Sequence, residues 1–167
     1  QMSLTGEDGK FYRSGIGVAD LSAAMSAAIG VLATVNLRQR TGVGQRVETS
    51  IFGSMVFLLA DYLTDYAVSG EVPGPVGNCK PGNYPYGVFE TKNRPIAVGA
   101  GHDKMWATLC SAIGLTHLVD DPDFASSKLR WENRDKVDSF LKPLFVKKTS
   151  EEWMDLLEKH DIACAPV

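Results

Sequence analysis

The sequence predicts an α+β protein: an N-terminal helical linker followed by a small domain holding a short antiparallel sheet and helices. Three observations carry this. Between positions 17 and 69 apolar residues recur every three or four places, the period of a helix face. From 70 to 87, five glycines and four prolines fall within eighteen positions, too many breakers for a regular element. Beyond them two short runs of strand formers flank a polar turn, and an apolar run closes the sequence. The expected organisation is therefore residues 1–70 as a helical linker segment and residues 71–167 as the small α+β domain.

Each element has its own signal. Met2-Ser3-Leu4-Thr5-Gly6 is a short apolar run into a turn. From Gly17 to Arg40, Val18, Leu21, Met25, Ala28, Ile29, Leu32 and Val35 define one helical face, with Asp20 as N-cap and Thr41-Gly42 as the stop. Gly42-Val43-Gly44-Gln45 turns into an extended piece, Arg46–Thr49. Ser50 caps a second helix, whose Ile51, Met55, Leu58, Leu59, Tyr62 and Tyr66 face inward and which Gly70 ends. Residues 70–87 read as a long ordered loop or a linker; long loops of this kind often serve as a lid or binding loop. A hairpin follows, Tyr86–Thr91 and Pro95–Val98 joined over Lys92-Asn93-Arg94. Asp103 caps a helix with Trp106, Leu109, Cys110 and Ile113, stopped by Gly114. A helix over Ser127–Lys147 is kinked or divided by Pro143. Thr149-Ser150-Glu151-Glu152 is a capping box for the last helix, and Ile162–Val167 is a strand returning to the hairpin.

Composition narrows the function. Of 167 residues, 44% are hydrophobic and 22% charged, as in ordinary globular domains. Seventeen basic against twenty acidic residues, with no basic stripe, argue against nucleic-acid binding. The apolar stretches read as broken before the roughly 18 residues a membrane span needs, so no membrane is expected. No secretory signal is recognisable. Cys79, Cys110 and Cys164 are few and scattered, which fits a reducing, cytoplasmic setting. His102, His117 and His160 form no ligand pairs with cysteine or each other, so no metal is expected. The sequence opens on Gln1 and closes on Pro166-Val167 with apolar runs at both ends, which reads as a piece of a longer chain.

Few residues suggest chemistry alone. Gly99-Ala100-Gly101 is either a phosphate-cradling turn or a plain strand-to-helix turn. His102 and Asp103 are either an acid–base pair or a helix start. Tyr84 and Tyr86 either stack on a ligand or seal the loop onto the core. Arg38, Arg40, Lys92 and Arg94 read as solvated charge.

Taken in order, however, the motifs resemble a known family. Met2–Gly6, Val18-Ala19-Asp20-Leu21 and Arg40-Thr41-Gly42-Val43-Gly44-Gln45-Arg46-Val47-Glu48 open the series. Gly77-Asn78, Pro85-Tyr86, Phe89-Glu90-Thr91, Ile96–Gly99 and Asp121-Pro122-Asp123-Phe124 continue it. Arg130, Asn133-Arg134, Glu152-Trp153 and Ala165-Pro166-Val167 end it. The whole resembles the middle of a family III CoA-transferase, the group of formyl-CoA transferase, carnitine CoA-transferase and α-methylacyl-CoA racemase.

The resemblance implies a mechanism in which an aspartate attacks the acyl-CoA carbonyl. A mixed anhydride and then an aspartyl-CoA thioester form, and CoA passes to an acceptor carboxylate. It places that aspartate and a Rossmann-like domain upstream of Gln1, so residues 1–70 would be linker to a larger domain and the segment alone would be inactive. Coenzyme A is a substrate, and no other cofactor is implied. The glycine-rich active-site loop corresponds to Gly77, Asn78, Gly82 and Tyr84, without the consecutive glycines of some members. The racemases carry a glutamate where His102 stands, which favours transferase over racemase. The resemblance also implies an interlaced homodimer, acyl-CoA and carboxylic acid substrates. The alternatives are an α-methylacyl-CoA racemase or epimerase, and a non-catalytic dimerisation fragment.

Overall fold

The computed structural model describes residues 2–7 and 9–167; Gln1, at which the apolar opening begins, lies outside them. The chain divides into two compact units, Gln1–Gly77 and Asn78–Val167.

The first unit is mostly helical. A minimal antiparallel hairpin, β1 (Gly6–Glu7) with β2 (Lys10–Phe11), stands where the sequence suggested only a turn. Gly6 is obligatory there: its φ is +126°, and a Cβ would lie 1.8 Å from the Lys10 carbonyl oxygen. Helix α1 spans Val18–Thr41. Its N-cap is Gly17, not Asp20, which lies inside the first turn where its charge meets the helix dipole. Gly42 ends it as expected, left-handed at φ 75° with its N–H on the Arg38 carbonyl at 2.8 Å. Residues 43–50 form no strand, and Val47 lies over Gly30, where a Cβ would stand 2.6 Å from it.

The expected second helix is two, α2 (Ile51–Leu58) and α3 (Ala60–Ser69), bent by 65° at Leu59. The Ser50 hydroxyl caps α2 by accepting from the Gly53 N–H at 2.9 Å, and left-handed Gly70 closes α3. The apolar faces read as inward are largely exposed. Ala23 is the one buried α1 residue, and Leu21, Met25, Ile29, Leu32, Ile51, Leu58 and Tyr66 are at least half open or nearly so. No charge stands between Asp20 and Arg38. By length and composition α1 is therefore apolar enough to cross a membrane, contrary to the reading of its apolar stretch as broken.

The second unit is α+β. Strands β3 (Tyr86–Phe89), β4 (Ile96–Gly99) and β5 (Ala163–Pro166) form an antiparallel sheet in that order. Tyr86 pairs with Gly99, which pairs with Ala163; Val88 pairs with Ala97, which pairs with Ala165. Alternation sends Phe89, Ile96 and Val98 into the core. Against them pack α4 (Asp103–Ala112) through Trp106, Leu109 and Cys110, α6 (Arg134–Phe145) through Val137, Leu141 and Phe145, and α7 (Ser150–Glu158) through Trp153 and Leu157. Phe89, Phe145 and Trp153 form a ring ladder, with centroids 4.7 and 4.6 Å apart.

Two local expectations are corrected here, and a third holds. The long helix over Ser127–Lys147 divides at Asn133, not at Pro143, into α5 (Ser127–Glu132) and α6. The Asn133 amide bonds the Leu129 and Asp123 carbonyls, which ends α5, whereas Pro143 is accommodated near the end of α6. His102, not Asp103, is the N-cap of α4. The capping box of α7 forms as expected, with Thr149 Oγ1 accepting from Glu152 N–H and Glu152 Oε2 from Thr149 N–H.

Candidate functional site

The second unit brings two segments together that are far apart in sequence. One is the loop Gly82–Pro85, leading into β3. The other is the exit of β4, Gly99–Asp103, leading into α4. The Ala100 N–H donates to the Pro85 carbonyl at 2.9 Å, extending the sheet pairing past the end of β4. Asn83 then fills the space over Gly101, where a Cβ would stand 1.9 Å from Asn83 Oδ1. The Ser127 hydroxyl reaches the Gly82 carbonyl at 3.0 Å and Asn83 Oδ1 at 3.3 Å.

Arg130 joins the same two segments from beneath. Its guanidinium is 0% exposed and donates to four acceptors: Tyr84 O at 2.9 Å, Phe124 O at 2.8 Å, Gly101 O at 2.7 Å and Asp103 Oδ1 at 2.8 Å. Its Cζ also lies 5.4 Å from the Trp106 ring centroid. A buried charge demands such complete pairing, because an unpaired one is strongly destabilising.

Of the residues singled out from sequence, Gly82, Tyr84 and His102 fall in this neighbourhood. Gly82 is left-handed at φ +69° on the exposed loop. The Tyr84 ring is 2% exposed, and its hydroxyl donates to Asp138 Oδ1. Of its two readings, sealing the loop onto the core is the one its side chain performs. Burial and the Asp138 carboxylate both push the Tyr84 hydroxyl above its ordinary range. Lys142 completes the anchor with Nζ 2.7 Å from Asp138 Oδ2, a bond that raises the lysine. His102 is exposed, and no hydrogen bond links it to Asp103 among the described residues, because Asp103 turns to Arg130.

Asn78 and Gly77 lie elsewhere. Asn78 borders the outer face of the sheet, a cleft of about 380 Å³ floored by Ala97, Gly99, Ala163 and Ala165 and flanked by Tyr86 and Val88. Gly77 belongs to the first unit, left-handed at φ +70° with its N–H on the Gly6 carbonyl at 2.6 Å. No three His, Cys, Asp or Glu side chains converge for a metal among the described residues. Arg94, read as solvated, instead bonds Ser150 Oγ and Glu151 Oε1, each at 2.9 Å.

Arg130 and Asp138 were not legible as site-forming residues. Charged residues on an amphipathic helix read as solvent-facing, and the partners that define these two, Tyr84, Gly101 and Asp103, lie tens of residues away. Two signals pointed to Arg130: its place in the motif series that carries the family resemblance, and its position between Leu129 and Trp131.

Comparison with known proteins gives this geometry a family. The model of CoA-transferase family III matches residues 1–167. An acyl-CoA transferase of Fusarium pseudograminearum is 34% identical over 99% of this chain and 37% of its own length. The succinyl-CoA:mesaconate CoA-transferase of Haloarcula hispanica is 36% identical over 99% of this chain and 41% of its own length. A crystal structure of a CaiB/BaiF family protein from Brucella suis superposes with a TM-score of 0.76 at 26% identity, covering 99% of this chain and 44% of that one. The chain thus spans about two-fifths of the length of the relatives it matches. Since the family pattern runs through both units from first residue to last, the chain belongs to CoA-transferase family III.

Proposed function

We propose that residues 1–167 are part of an acyl-CoA:carboxylate CoA-transferase. The observation that carries this reading is the family match over the whole chain, together with relatives that are themselves named CoA-transferases. In the proposed reaction an aspartate outside residues 1–167 attacks the acyl-CoA carbonyl and CoA leaves as thiolate. The thiolate then attacks the aspartyl side of the mixed anhydride, releasing the donor acid and leaving an aspartyl-CoA thioester. The acceptor carboxylate attacks that thioester and expels CoA thiolate, giving a second mixed anhydride; the thiolate then attacks the acceptor's carbonyl, forming the new CoA ester and releasing the aspartate.

This chain's residues surround that chemistry rather than perform it. Gly77, Asn78, Gly82 and Tyr84 belong to the loop proposed to shield the thioester from water. Tyr84 contributes as its anchor, and Gly77 and Gly82 as points of backbone freedom. His102 is proposed to face substrate, as the exposed residue at the start of α4. Coenzyme A and the two acids are the substrates, with no other cofactor, metal, nucleic acid or membrane. The open apolar faces of α1–α3 support burial against a second chain in an interlaced homodimer, in the cytoplasm.

One observation keeps a second reading, epimerisation of a 2-methylacyl-CoA. The His102 imidazole is exposed, and its neighbour Asp103 turns to Arg130, which leaves the ring open to a substrate. The full-length protein, given an acyl-CoA and a second carboxylic acid, should form the new CoA ester by mass spectrometry, whereas residues 1–167 alone should form none. Epimerisation without an acceptor, and no transfer, would replace the first reading by the second. Replacing Gly77 and Gly82 by alanine should raise hydrolysis relative to transfer if the loop shields the thioester; unchanged rates would leave it a passive connection.

A further inference from the structure

We infer that Arg130 is a positioning residue for the proposed transfer, holding the turn that carries His102 in one placement against the Gly82–Pro85 loop. The inference rests on the transferase reading and names a residue that the reading does not require.

The geometry is specific. His102 has Gly101 before it and Asp103 after it, and one nitrogen of Arg130, Nη2, bonds both: the Gly101 carbonyl at 2.7 Å and the Asp103 carboxylate at 2.8 Å. The peptide before His102 and the side chain after it are therefore pinned, while the imidazole itself stays exposed. Nε of the same guanidinium bonds the Tyr84 carbonyl at 2.9 Å, in the middle of the loop. Nη1 reaches back to Phe124, fixing the guanidinium plane. A planar fork with five donors can satisfy acceptors on three sides at once, which a lysine ammonium cannot reproduce.

General stability does not explain this arrangement by itself. Replacing a buried ion pair by apolar side chains of similar volume is often neutral or stabilising. Here one buried cation is directed at the two segments that carry Gly82, Tyr84 and His102, and its carboxylate partner is largely outside, with the Asp103 side chain 64% exposed. That asymmetry provides a test. Removing the Asp103 carboxylate frees one side of the His102 turn, yet Arg130 keeps its three carbonyls and the core keeps its packing.

The experiment uses the full-length enzyme, succinyl-CoA and a second dicarboxylate, and compares wild type with Arg130→Lys and Asp103→Ala. Displacing a placed group by about an ångström costs up to roughly a hundred-fold in rate, so transfer kcat should fall on the order of ten-fold or more in both variants. The KM for acyl-CoA should stay within about two-fold, and the share of intermediate lost to hydrolysis should rise. A purely structural role would lower the melting temperature of Arg130→Lys but leave kcat and partition of the folded enzyme at wild-type values. If Arg130→Lys does not fold, Asp103→Ala decides. Wild-type kcat and partition in a folded Asp103→Ala overturn the inference. Absence of transfer by the wild-type enzyme overturns the transferase reading instead.

Discussion

Asn83 occupies the space that any side chain on Gly101 would need: a Cβ there would lie 1.9 Å from Asn83 Oδ1 and 2.9 Å from the Asn83 backbone carbon. The contact joins loop to strand exit at backbone distance, and nothing larger than glycine fits. Gly101→Ala should therefore destabilise the fold by about 1–3 kcal/mol, the cost of overpacking a filled site. Urea unfolding measures it. Adding Asn83→Gly should recover part of the loss, because the side-chain clash goes and the backbone one stays.

Glu151 should give the chain a pH-dependent stability in acid. Its carboxyl is lowered from 4.5 to about 2, first by its own backbone N–H, then by the Asn93 amide, with Ser150 and Arg94 adding. A carboxyl lowered on folding stabilises above its unfolded value and loses that contribution as pH falls through its folded one. The loss should fall between about 4.5 and about 2. Glu151→Gln should flatten the melting temperature across that window, and an unchanged slope would contradict the assignment.

The α7 capping box should be worth about 1 kcal/mol through Thr149 alone, the usual cost of replacing such a cap by alanine. Thr149→Ala and Glu152→Ala share two reciprocal bonds, so their effects should not add. Chemical denaturation of the two single variants and the double variant reads both quantities.

Cys110 should be silent to thiol reagents in the folded protein. Burial pushes its thiol up to about 12 despite the nearby Arg130 charge, and the residue is fully enclosed. Almost no thiolate then exists at mildly alkaline pH. Mass spectrometry after brief alkylation should find Cys79 and Cys164, both partly exposed, modified before Cys110. Modification of Cys110 at the rate of an unfolded thiol would show that α4 opens freely.

Much of the fold was legible because local chemistry decides it. Gly42 and Gly70 end helices as left-handed caps, Ser50 and Thr149 begin them, and alternation in Tyr86–Phe89 and Ile96–Gly99 makes the hairpin. The bend at Leu59 carries no breaker and left no sign in the sequence. The other failures share a cause: the break at Asn133 depends on a side chain reaching Asp123. Asp103 lies one place inside the helix, not at its cap, and its carboxylate accepts from Arg130. Arg94, likewise, is claimed by Ser150 and Glu151 across more than fifty positions. Periodicity reports which face of an element is apolar. It does not report which distant polar group meets a charge, and the candidate site is made of such meetings.

The three tryptophans of the chain, Trp106, Trp131 and Trp153, all lie in Asn78–Val167, whereas residues 1–77 hold tyrosines but no tryptophan. Each indole has a distinct quencher or neighbour: Trp106 beside the Arg130 guanidinium, Trp131 beside Arg134 at 5.0 Å, Trp153 against the Phe145 ring. Indole emission thus follows the second unit alone, while far-ultraviolet dichroism follows the helices of both units. A melt recorded by both shows, with no label attached, whether the first unit unfolds together with the second.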